Sequence, residues 1–120
     1  MGYDLHITRS TDWADTSGRE IGAQEWLAVV AEDADLISDP AHGPYAVRWT
    51  NAWFDWSEGN VYTTDPDRST FVKLLDLAKR LTAVVQGDDG EFYENPRQWS
   101  ARQRAEDASA ARRSAQPPGT

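Results

Sequence analysis

His6 stands two residues from Asp4 in the segment Tyr3-Asp4-Leu5-His6-Ile7-Thr8, and a second acidic group, Asp88, Asp89 and Glu91, lies 82–85 positions further on. An imidazole with carboxylates can do two kinds of chemistry. Oxygen ligands suit Mg2+, Ca2+ or Mn2+ and imidazole suits transition metals, so the set can hold a divalent cation at the acidic turn. A histidine beside a carboxylate can also move protons as an acid/base pair. Both need the first strand to run next to the segment that carries the acidic group. A plainer account competes: Gly87-Asp88-Asp89-Gly90 is a turn sequence in its own right, and the outer face of a strand is polar by default. Turn chemistry alone explains these residues, and that account outweighs a site. His42 sits in a Pro/Gly loop with no spacing that pairs it with His6.

Aromatic residues make a second group. The chain has six tryptophans in 120 residues, and Trp49, Trp53 and Trp56 fall within eight positions, with Phe54 and Asp55 among them. Alternation puts Trp53 and Asp55 on one face of a strand and Phe54 and Trp56 on the other. Only one of these faces can meet the core. The other would present aromatics, as protein interfaces do, or stack on a sugar or a base. Against this, large aromatics are mostly buried, which favours Trp53 lying beneath a helix. There is no glycine-rich phosphate loop, HExxH, GxSxG or zinc spacing, and no cysteine for a nucleophile or thiolate site.

The elements that must place these residues begin with the stretch from Asp65 to Tyr93. Asp65 is read as a helix N-cap, with Pro66 in the first turn and Asp67 at the positive end of the dipole. Phe71, Leu74, Leu75, Ala78 and Leu81 then follow at helical spacing, which predicts a helix over 66–81 with one apolar face. Residues 82–86 are apolar and β-branched and read as a strand; 91–94 read as a short return strand. Upstream, 3–8 alternate as a strand with Tyr3, Leu5 and Ile7 on one face. The polar segment 9–19 is a loop with Trp13 folded back onto the body. Residues 22–33 form a helix with Trp26, Leu27, Val30 and Ala31 on one side. After a loop over 33–44, residues 45–64 form an antiparallel meander with a hairpin at Ser57–Asn60.

This order gives an α+β fold: an antiparallel-rich sheet with two helices packed on one face, for which a ferredoxin-like plait is the best topology. Residues 1–94 make a single domain. Asn95-Pro96 opens an Arg/Ala-rich helix over 95–115 that docks through Trp99, and 116–120 form a disordered tail. The N-terminus has no basic and apolar leader, and no stretch reaches the length of a membrane span, so a cytoplasmic chain without a membrane partner is expected.

Net charge is −8; five arginines against two acids beyond residue 94 give that tail +3 and leave −11 on residues 1–94. A body this acidic repels phosphate backbones, which argues against nucleic acid, and suits a basic protein partner or a cation. Acidity for solubility alone is as good an account. The YDLHITR opening, the WFDW-x-x-GN hairpin, the DPD helix start and QGDDGEFYE resemble a family of small, functionally uncharacterised bacterial proteins. That resemblance covers most of 2–94 and brings no catalytic residues with it. From the residues, the leading expectation is a small acidic protein-binding module, immunity-like or antitoxin-like, acting on a basic partner. A metal-dependent or acid/base enzyme built on His6 and the acidic turn, and a tryptophan-lined site for a sugar or base, are the alternatives.

Overall fold

A computed structural model describes residues 3–98. Seven strands and two helices follow in the order β1 (Asp4–Thr8), α1 (Ala23–Glu32), β2 (Ile37–Ser38), β3 (Val47–Trp49), β4 (Ala52–Ser57), β5 (Asn60–Thr64), α2 (Arg68–Arg80), β6 (Val84–Gly87), β7 (Phe92–Tyr93). The strands form one sheet in the order β2-β3-β4-β5-β1-β6-β7. Every neighbouring pair is antiparallel. The fold is therefore α+β, with β1 near the middle of the sheet and the β2–β5 meander on one side of it.

One face of the sheet is apolar. Leu5, Ile7, Phe54, Val61 and Val85 are fully buried, in one core with Trp26, Val29 and Val30 of α1 and Phe71, Leu74, Leu75 and Leu77 of α2. The α2 stripe is thus the one its spacing predicts. Burial of each large side chain in it is worth ~1.5–3 kcal/mol before entropy is charged. In α1 the buried side is Trp26, Val29 and Val30, with Leu27 half-buried and Ala31 exposed, so the helix is turned slightly from the face read in the sequence.

The cap of α2 is Asp67, not Asp65. Asp67 Oδ1 accepts from the Thr70 amide (2.8 Å) and hydroxyl (2.8 Å). Asp65 is committed elsewhere: its carboxylate accepts the Tyr3 amide at 2.8 Å and its own amide donates to the Tyr3 carbonyl at 2.8 Å. This long-range pairing extends the β1–β5 ladder and leaves Pro66 ahead of the helix. The β4–β5 hairpin turns on Glu58 (φ 51°) and Gly59 (φ 86°), both left-handed as a tight two-residue connection requires. A side chain at 59 would also strike Glu20, whose Cβ would lie only 2.8 Å away.

Arg9, just past β1, ties three elements together. Its guanidinium donates to the Leu81 carbonyl at the end of α2 and makes a bidentate pair with Glu25 in the first turn of α1. Residues 96–98 are helical; the rest of the expected C-terminal helix, Trp99 and the 116–120 tail lie outside the described residues. Among the described residues, no helix is long and apolar enough to cross a membrane.

Candidate functional site

The opposite face of the sheet carries the candidate site. Register sets it: Asp55 pairs with Tyr62, Tyr62 with His6, His6 with Gln86, and Gln86 with Phe92. Residues opposite each other in a ladder point to the same side, so these five form a row across five strands. Beside that row, Arg48 pairs with Trp53 and Thr64 with Asp4. The face combines aromatic rings, carboxylates and an imidazole, and both helices lie against the other face.

His6 sits at the centre of this face and is buried, at 6% exposure. Trp13 covers it: the two rings stack at 3.8 Å with 5° between planes. Trp13 is held there by Gln86, which accepts its amide at 2.7 Å, and by Asn60, which donates to its carbonyl at 2.7 Å. The loop therefore folds back as its lone large apolar residue suggests. What the sequence does not reveal is that it stacks on His6.

The acidic turn divides among three environments. The Leu5–Gly87 pairing carries Asp88 across from Asp4. His6 Nε2 lies 3.0 Å from Asp88 Oδ1, and Asp88 Oδ2 accepts the Asp4 amide at 2.9 Å. Asp4 in turn accepts the Thr64 hydroxyl at 2.7 Å. Glu91 instead accepts the Tyr3 hydroxyl at 2.6 Å, a pair that occupies the space a side chain at Gly87 would need. Leu5, the partner of Gly87, faces the core, so Glu91 belongs to the side away from His6. Asp89 is exposed at the tip of the turn. Of the acidic group, only Asp88 joins Asp4 and His6, which corrects the expectation for Asp89 and Glu91.

The aromatic group divides likewise. Trp56 is on the core side: its indole donates to the Ile21 carbonyl at 2.8 Å and packs edge-on against Tyr45. It packs, half-buried, against the core. Trp53 is 41% exposed and faces away from α1, so it does not lie beneath the first helix; the expected C-terminal helix is outside the described residues. Its ring stands edge-to-face with Tyr62 at 5.4 Å. Trp53, Tyr62, Asp55, Arg48, Asp39 and His42 line a half-open cleft of about 550 Å³. A second cleft of about 300 Å³ lies across Tyr62, lined by Asp4, His6, Trp13 and Asn60 among others. Burial first, then the charges of Asp55 and Asp4, push the Tyr62 phenol above its ordinary range. Asp55 and Asp4 thus put negative charge on either side of the phenol.

No family model, curated protein or solved structure matches the chain. What the site can do follows from its own geometry.

Proposed function

We propose that the protein is a binding module that captures a basic protein partner on the open face of its sheet. The exposed Trp53 carries this reading. A tryptophan 41% open to solvent, set edge-on to Tyr62 with Asp55 on the neighbouring rung, has the composition of an interface anchor. A basic side chain laid on that ring would gain cation–π attraction and meet Asp55 and Asp39. The charge of −11 on residues 1–94 would speed the encounter with such a partner and weaken as salt is added. Small size, acidity and the lack of a recognisable catalytic motif fit an immunity-like or antitoxin-like inhibitor. Our reading of the scaffold as a ferredoxin-like plait is supported by the neighbour order β4-β5-β1-β6, with a helix after β1 and another after β5. In that reading β2, β3 and β7 extend the edges.

The test is affinity capture with the wild type and Trp53→Ala, then titration of the purified partner against both. The expected result is a basic protein whose affinity falls by about tenfold or more in Trp53→Ala and declines with salt. A partner bound equally by Trp53→Ala removes the reading. A second reading follows from the size of the Trp53 cleft, about 550 Å³, which lies in the range of small-molecule pockets. Saturable quenching of Trp53 fluorescence by a sugar or nucleobase, with no protein partner, would favour it.

A further inference from the structure

Beyond the Trp53 cleft, three potential ligand atoms converge on the same face. Asp4, His6 and Asp88 each offer one, and all lie within 4.8 Å of one another. The 3.0 Å between His6 Nε2 and Asp88 Oδ1 is close to the spacing of two adjacent ligands on one ion, about 3.0–3.4 Å for octahedral to tetrahedral bonds of about 2.1 Å. Each group is oriented by a further contact. Thr64 holds Asp4, the Asp4 amide holds Asp88, and Trp13 fixes the plane of the imidazole. These contacts restrict the side chains to one arrangement.

An independent observation comes from Asn60. It is 6% exposed and lines the same cleft as Asp4 and His6. Its Oδ1 is, among the described residues, a buried side-chain acceptor with no hydrogen-bond partner. Buried polar atoms are rarely left unsatisfied, so an acceptor there calls for a donor that the protein does not provide. Asn60 lies two residues before Tyr62 on β5, and Tyr62 pairs with His6. The same register puts Asn60 opposite Thr8, on the cleft side of the His6–Tyr62 rung and away from Asp88.

We propose that Asp4, His6 and Asp88 bind one divalent transition-metal ion of the Zn2+ class. Water completes its coordination. One imidazole with two carboxylates favours such an ion over Mg2+ or Ca2+, which prefer oxygen ligands throughout. The acidic body adds a long-range attraction for cations. This inference does not rest on the partner-binding reading, because Trp53 and Asp55 supply no ligand.

The experiment is calorimetric titration of Zn2+ into the full chain, with Mg2+ as the comparison ion and Co2+ as a spectroscopic probe. Wild type takes up one Zn2+ per chain and binds Mg2+ about tenfold or more weakly. Asp88→Asn and His6→Gln each weaken Zn2+ by about tenfold or more, whereas His42→Ala and Trp53→Ala leave it unchanged. Asp88→Asn keeps an amide oxygen for the Asp4 amide, and its fold is checked by circular dichroism. Co2+ quenches tryptophan emission in wild type, and Trp13→Phe removes that part of the quench because its ring lies against His6. The Trp13 comparison decides the matter if the ligand variants fail to fold. No Zn2+ uptake by wild type overturns the proposal. So does uptake that survives both ligand variants, uptake that disappears with His42→Ala, or a quench unchanged in Trp13→Phe.

Discussion

Phe54 is fully buried, while Trp53, one residue earlier on the same strand, is 41% exposed. Their side chains leave opposite faces of the sheet, so they answer to different selective demands. Phe54→Ala removes an aromatic ring from a closed core and is expected to cost about 3–5 kcal/mol. Trp53→Ala is expected to cost less, about 1–2 kcal/mol, because much of that residue is already open to water. Urea unfolding of the two variants checks this, and a large loss in Trp53→Ala would make Trp53 structural rather than functional. The division of faces was legible from alternation alone. Which face met the helices was not, because average burial argued for Trp53 and only its neighbours in space argue otherwise. The same limit applies to the acidic turn: Asp88, Asp89 and Glu91 look equivalent in the chain, and the Leu5–Gly87 register alone puts Asp88 beside His6. Trp13 gave a hint as a lone large ring in a polar loop, but its place on His6 depends on Gln86 and Asn60, which lie 73 and 47 residues away.

Among the elements, α2 was the most legible and its ends the least. The apolar stripe from Phe71 to Leu81 is a local property of the sequence and survives folding unchanged. Its start moved by two residues because Asp65, a good cap by type, is recruited by Tyr3 across the sheet. The two-residue strand β2 carries no pattern, since both of its residues are exposed. It exists because β3 offers it an edge. The ends of α2 should respond in opposite directions to substitution. Asp67→Ala removes the acceptor for the Thr70 amide and is expected to cost about 1 kcal/mol. Thr82, just past the helix, is exposed and held at φ 53°, where a β-branched residue is strained. Thr82→Gly relieves that strain at the cost of a more flexible unfolded chain, for an expected gain of about 0.5–1 kcal/mol. Thermal melts of both variants check the pair; a loss in Thr82→Gly would mean that the turn after α2 tolerates the threonine without strain.

For the molecule as a whole, charge sets how stability depends on pH. Asp33, at the end of α1, accepts from Lys73 and Arg80 of α2 and pins the two helices together. The Lys73 hydrogen bond above all, and Arg80 after it, hold its carboxyl down to about 2. In the unfolded chain an aspartate titrates at about 3.9. Between those values the unfolded chain binds more protons than the folded one, so stability rises with pH there. The contribution is complete above about pH 4 and is lost as pH falls through about 2. The Asp33 side chain is 9% exposed, so this link is expected to be worth about 1–2 kcal/mol. Glu25 is held to about 2 by Arg9 in the same sense, but it is half open to water and adds little. An opposing trend acts at higher pH. The charge of −11 on residues 1–94 repels itself, and mild acidification relieves some of that repulsion before the paired carboxylates titrate. The melting temperature should therefore be greatest near pH 5, slightly lower at pH 7, and fall steeply below pH 4. Asp33→Asn should lower the melt at pH 5–7 and flatten the descent below pH 4, because the variant has lost a group that binds a proton on unfolding. Melts of both proteins across pH 2–7 check this, and parallel curves would show that the α1–α2 ion pair does not control the acid limit.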